Sequence, residues 1–373
     1  MKLQYPRRAV RSLVFALVAL VTYPLAALAT TITVSGSQFA IDGLPQFLVF
    51  VSYFGALRHS DSTLELAFAY LSSVGVRGIR VFPNWWQNIQ DGVCIPDADT
   101  LMLPDSSGAL SQAQLERLHR VIDLADRNGI VVDVSFAIEP VPEVSYDGYR
   151  KALLMAYDSL GRHPNVIVDL QNEFNLAVEA CRKPAISPAQ MGELLHDLRS
   201  SRPAGTVPII TVASADPNVH GAEAGGFAET FGFDAVAYHD PRRYPTTAYP
   251  GEEACAANSL AASLKWVRCT CQRVEDVKFA TARPVYLQEP GQSNLVPPAD
   301  PADAAYLDNY LLEAVARAKA SGAAAWTLHT EGGFAFHTSD QPPAPPNLTL
   351  VEADFLERLD HTLAGVPWNV GCP

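Results

Sequence analysis

The chain has no GxGxxG after its first strand-like run, no GxSxG and no HxH pair among its nine histidines. The first absence removes the usual support for a dinucleotide-binding fold. The second removes a serine nucleophile on a strand-to-helix elbow. The third removes a barrel hydrolase whose metal rests on paired histidines. Basic residues are also scarce: 27 Lys and Arg face 40 Asp and Glu, for a formal net charge of −13. An acidic chain of this kind suits a neutral substrate better than nucleic acid or an anionic membrane surface. Past residue 29 no run is long and apolar enough to span a bilayer, and no linker divides the chain.

What is present begins with a leader. Lys2, Arg7, Arg8 and Arg11 precede an apolar stretch from Leu13 to about Leu28, and Ala27-Leu28-Ala29 offers a small-x-small cleavage site. Residues 1–29 are expected to be a signal peptide and 30–373 a single catalytic domain, secreted or periplasmic and free of the membrane after cleavage. The leader carries no acidic residue, so its loss makes the remainder more acidic still. Six cysteines (Cys94, Cys181, Cys255, Cys269, Cys271 and Cys372) in an exported chain favour disulfides, with connectivity left open. Cys269-x-Cys271 lacks the companion ligands of a zinc site.

The segment TITVSGSQFAIDGLPQF gives two short alternating runs with turns at Ser35-Gly36 and Asp42-Gly43, a hairpin ahead of the main domain. Strand-like runs then fall near 48–52, 76–82, 130–136, 166–171, 208–212, 235–238, 285–288 and 323–328. Helical patterns follow them near 63–74, 111–128, 148–161, 188–200, 218–231, 256–274, 301–321 and 351–363. Ser111-x-x-Gln114 has the form of a capping box, and Ser187-Pro188 that of an N-cap with a first-turn proline. Runs such as VIVDL lack polar alternation, as expected of parallel strands covered on both sides. The expected fold is therefore α/β: a (β/α)8 TIM barrel with a short N-terminal hairpin and long loops at its C-terminal face, an open doubly wound sheet being the alternative.

In such a barrel the C-terminal strand ends form one site. In order they offer Arg80, with Trp85 and Trp86 beyond it, then Asn172-Glu173, Tyr238-His239, Glu289, and Trp326 with His329. A carboxylate ending a buried strand is costly to desolvate unless the site uses it. Period-two alternation would place Val285, Leu287 and Glu289 on one face, and likewise Asp169, Gln171 and Glu173.

The Asn-Glu pair ending strand four, the Glu ending strand seven, and the Arg, His and Trp positions together resemble glycoside hydrolase clan A, most nearly the family 5 endo-glycanases. That resemblance implies a retaining O-glycosyl hydrolase acting on β-linked glycans of mannan or glucan type. Glu173 would be the acid/base and Glu289 the nucleophile. Arg80, Asn172, His239, Tyr244, Trp326, Trp85 and Trp86 would bind substrate, Trp326 as the floor of the sugar subsite. Trp85 and Trp86 are equally compatible with local packing. No cofactor or metal is implied; the partner is an oligo- or polysaccharide and the chain is expected to act as a monomer. Two positions depart from the family pattern: Ser135 stands near the end of strand three where a histidine is usual, and Pro241 stands two residues past His239, with Tyr244 as a substitute for the usual tyrosine. A transglycosylase, or a catalytically silent carbohydrate-binding barrel, is the alternative on the same scaffold.

Overall fold

The computed structural model describes residues 29–83, 86–90, 93–96, 107–136, 145–174, 186–200, 208–214, 221–239, 262–290, 301–329 and 350–371. The segments expected to be the leader and the long loops, including Trp85, Tyr244 and the 341–347 proline run, lie outside these residues.

A small antiparallel sheet comes first: β1 (Ile32–Ser35), β2 (Gln38–Ile41) and β3 (Leu44–Pro45). The barrel then takes β4 (Leu48–Ser52), β5 (Gly78–Val81), β8 (Val131–Ser135), β9 (Val166–Asp169), β10 (Ile209–Thr211) with β11 (Ala213–Ser214), β12 (Val236–His239), β13 (Val285–Glu289) and β14 (Ala325–Leu328). Every neighbour pair among them is parallel. β10 pairs with β9 and β11 with β12, and only Val212 separates them, so this fifth strand closes the ring. The result is an eight-stranded (β/α)8 barrel. Between the second and third barrel strands a hairpin of β6 (Trp86–Gln90) and β7 (Val93–Pro96) is inserted.

Eight helices alternate with these strands among the described residues: α1 (Asp61–Ser73), α2 (Gln112–Asp126), α3 (Tyr146–Leu160), α4 (Pro188–Ser200), α5 (Gly221–Phe231), α6 (Ala262–Ala280), α7 (Pro301–Ala320) and α8 (Leu350–Ala364). Serine caps start several of them. Ser60 accepts from Thr63 N at the head of α1, and Ser145 from Gly148 N at the head of α3. The capping box forms at α4, where Ser187 Oγ accepts from Gln190 N (3.2 Å) and Gln190 Oε1 accepts from Ser187 N (2.9 Å). Ser111 makes no such side-chain cap; Gln114 N bonds its carbonyl oxygen instead (3.2 Å), tightening the first turn of α2.

Two apolar layers result. The outer one fills the space between barrel and helices with residues such as Val49, Ile79, Val132, Val168, Leu287 and Trp326. The inner one is small: Leu48, Phe50, Val131, Ile167, Ile209, Ala235, Tyr286 and Ala325, closed below by Ile32 and Phe39 of the N-terminal hairpin. Above this apolar floor the interior turns polar, with Ser52, Arg80, Asp133, Ser135, Asp169, Thr211, Gln288 and Thr327 all buried. Cys271 on α6 is buried.

Candidate active site

Arg80 organises the top of the barrel. It comes from the inward face of β5 and is fully buried. Its Nη1 donates to Glu289 Oε1 (2.7 Å), its Nη2 to Asn172 Oδ1 (2.6 Å) and Asp169 Oδ2 (3.4 Å), and its Nε to Ser135 Oγ (2.7 Å). Asp133 Oδ2 lies 3.7 Å from the same Nε. Above the guanidinium sits the Phe82 ring, 4.5 Å away and stacked on Phe54. Burial alone would lower the arginine's pKa, but Glu289, Asp133 and Asp169 together outweigh it, and it is raised.

One cation thus faces three buried carboxyl groups, and Asp133 is the one whose affinity for a proton is raised. Burial pushes its pKa up to about 6; Arg80 opposes this and Asp169 adds to it. Tyr286, kept protonated by burial, donates to Asp133 Oδ2 (3.0 Å) and itself accepts from Thr327 Oγ1 (3.0 Å). Gln288 Nε2 donates to the same oxygen (2.7 Å) and to Asp169 Oδ2 (3.1 Å).

The two glutamates meet above this network. Glu173 follows β9 and has φ +55°, one of only three non-glycine residues in the left-handed region among those described. Such a conformation costs roughly 1–3 kcal/mol and is usually stored at functional sites. The flanking backbone holds it there: Asn172 N donates to Phe136 O (2.6 Å) and Phe174 N to Ala213 O (3.2 Å). His239, ending β12, places Nδ1 3.2 Å from Glu173 Oε1 and 3.5 Å from Glu289 Oε2, with Nε2 2.8 Å from Gln288 Oε1. His329 Nε2 lies 3.8 Å from Glu289 Oε2, and its Nδ1 is bonded to Ser52 Oγ (2.8 Å). One donor atom from each of Glu173, His239 and Glu289 lies within 4.8 Å of the others. That spacing would admit a cation, but Arg80 already compensates Glu289 and His239 is bound between Glu173 and Gln288. The set is better matched to proton transfer and nucleophilic attack than to ligation.

Of the residues singled out in the sequence, Arg80, Asn172, Glu173, His239 and Glu289 come together here. Trp326 does not: it packs against Phe355 of α8 (centroids 5.8 Å apart) in the outer layer, only 1% exposed, and its buried indole N–H has no partner among the described residues. Parity explains the correction, since Ala325 and Thr327 take the inward positions of β14. Trp86 opens β6, with its side chain outside the described residues, and Trp85 and Tyr244 fall outside them altogether.

The alternation expected for β13 is also corrected. Val285 and Leu287 face the outer layer, while Tyr286 and Gln288 face in. Glu289 still reaches the site because the register shifts at the rim: Tyr238 pairs with Leu287 but His239 with Glu289, so Gln288 is an extra residue. Bulges of this kind re-aim side chains beside active sites. Likewise β9 ends at Asp169, and Glu173 turns inward through its backbone conformation, not through strand alternation. Asp133 and Gln288 were not singled out from the sequence. The available signal was an aspartate within the apolar run VVDVS and a glutamine beside the strand-end glutamate.

No protein-family model matches the chain, and no curated protein does. Its structure is similar to one described as a glycoside hydrolase, with a TM-score of 0.58 at 12% identity, covering 93% of this chain and 77% of that one. It is also similar to a GH5_18 from Streptomyces cattleya in complex with Manb1-4GlcNAc (TM-score 0.57, 15% identity, 87% and 82% covered). A third similar structure is the endo-1,4-beta-mannanase from Rhizomucor miehei (0.51, 14%, 80% and 89%). The chain thus shares the (β/α)8 fold of the family 5 glycoside hydrolases.

Proposed function

We propose that the protein is an exported, retaining glycoside hydrolase that cleaves a β-linked glycan by double displacement, without a cofactor. The observation that carries this reading is the convergence of Glu173 and Glu289, from the fourth and seventh barrel strands, to carboxylate oxygens within 4.8 Å. Retaining enzymes hold their two carboxyl groups about 5–5.5 Å apart, whereas inverting ones leave room for a water between them. Glu289, bonded to the Arg80 guanidinium, is equipped to stay ionised and attack the anomeric carbon. Glu173 protonates the departing oxygen and then deprotonates water for the second step. Asn172 turns its Oδ1 to Arg80, so its amide nitrogen is the group that would donate to a sugar 2-hydroxyl. The Phe54–Phe82 pair, stacked at 4.6 Å beside Arg80, supplies aromatic surface near the site in place of Trp326.

A β-mannosidic substrate is the first to test, since similar folds carry Manb1-4GlcNAc or the name of a mannanase; a β-glucan is the second. We also assign residues 1–29 as a signal peptide, 30–373 as one catalytic domain, and the six cysteines to disulfides formed after export. The test is a panel of β-mannans, β-glucans and aryl β-glycosides with the anomer of the first product followed by NMR. Initial release of the β-anomer from one of them is expected; an α-anomer would overturn the retaining mechanism, and inertness across the panel would overturn the substrate class.

A further inference from the structure

Gln288 has no role in the double displacement described above, yet it joins the acidic core to the acid/base pair. Its amide is oriented by its neighbours: Nε2 lies 2.7 Å from Asp133 Oδ2 and 3.1 Å from Asp169 Oδ2. Turned the other way, its carbonyl oxygen would meet two carboxyl oxygens already occupied as acceptors, Asp133 by Tyr286 and Asp169 by Arg80 and Ser135. Oε1 must therefore face His239 Nε2, 2.8 Å away, and an amide oxygen can only accept. His239 Nε2 then carries a proton, and in the neutral ring Nδ1 is left as a lone pair. That lone pair faces Glu173 Oε1 at 3.2 Å, so the proton between them belongs to the carboxyl group.

We propose that Gln288 is a positioning residue that locks His239 in its Nε2–H tautomer and through it keeps the catalytic proton on Glu173. This rests on the glycosidase reading for its purpose but not for its geometry. In the first step the Glu173 O–H bond breaks as its proton passes to the departing glycosidic oxygen. The resulting carboxylate then faces the Nδ1 lone pair, which makes it a stronger base for taking a proton from water. An Nδ1–H ring would do the reverse, donating to the carboxylate and holding it ionised. The charged and titratable groups facing His239 are Glu173 just past β9, Glu289 from β13 and, one contact further, His329 just past β14, Arg80 from β5 and the Asp133–Asp169 pair.

The experiment reads the ring directly, by nitrogen-15 NMR of the histidine-labelled full chain, with His239 assigned by its substitution. In the wild type, Nε2 is expected to be the protonated nitrogen and Nδ1 the bare one at neutral pH. In Gln288→Met the bias should relax toward Nδ1–H. The pH profile of kcat/KM should then lose its alkaline limb about one unit lower, and substrates with poor leaving groups should slow by about 10–100-fold while a dinitrophenyl glycoside stays within about threefold. A wild-type ring protonated at Nδ1, or doubly protonated at neutral pH, overturns the inference even if the variant does not fold. An unchanged tautomer in Gln288→Met, or equal loss on all substrates without a pH shift, overturns it too. An Nε2–H ring in a protein inert to every glycan would instead sink the glycosidase reading alone.

Discussion

A buried guanidinium faces Glu289, Asp169 and Asp133, so this dry interior holds more carboxyl groups than cations. Of these, Asp133 has its pKa raised from 3.8 to about 6 by burial, against Arg80. A carboxyl group raised on folding binds more protons in the native state, so its contribution is fullest below pH 3.8 and is lost as pH rises through about 6. Asp133→Asn, which never ionises, should therefore gain stability relative to wild type between pH 4 and pH 7, by a few kcal/mol at most. Urea denaturation of both proteins across that range checks the sign; a constant difference would show that Asp133 does not change its charge there. The two glutamates separate by their roles. Glu289→Ala should lower turnover at least about 10⁴-fold, with azide restoring it and inverting the product. Glu173→Ala should spare substrates with good leaving groups and respond to azide with retention. Comparable loss on aryl glycosides and natural glycans in Glu173→Ala would remove its assignment as acid.

At the scale of elements, β5 and β4 approach closely where Gly78 pairs with Phe50. A Cβ at Gly78 would lie 2.2 Å from the Phe50 ring inside the barrel, a ring hemmed in by Tyr286 at 4.9 Å. Gly78→Ala should therefore destabilise by about 1–3 kcal/mol through overpacking. Because β5 also carries Arg80, activity should fall with it. Gly226, within α5, has nothing among the described residues within 4 Å of its missing Cβ. Gly226→Ala should raise stability by about 0.5–1 kcal/mol and leave activity unchanged. Thermal unfolding of the pair tests both, and equal midpoints would contradict the packing described. The elements themselves were largely legible in advance. Leu48–Ser52 and Pro188–Ser200 coincide with the expected runs, since apolar periodicity and a Ser-Pro start are local signals. The β6–β7 hairpin was not anticipated, because its strands are short and lie in what the alternation marks only as a loop.

At the scale of the molecule, the N-terminal hairpin is the floor of the barrel. Phe39 is fully buried and meets Tyr286 edge-on at 6.3 Å, and Tyr286 in turn bonds Asp133, so floor and polar network share a support. Phe39→Ala should cost about 3–5 kcal/mol, read as a lowered midpoint in guanidinium. A change below about 1 kcal/mol would mean that the hairpin is only draped on the barrel. The sequence by itself determined the barrel, the order of its strands and helices, and which polar residues stand at the strand ends, because each is written in local periodicity and in the abrupt end of an apolar run. Only the tertiary structure decided which of those residues share a site. A register shift between β12 and β13 reversed the parity of Glu289, strand facing put Trp326 in the outer layer, and barrel closure joined Arg80 to partners 55 to 209 residues away. Such choices depend on how neighbouring strands slide past one another, and a single strand's pattern holds no record of its neighbour's register.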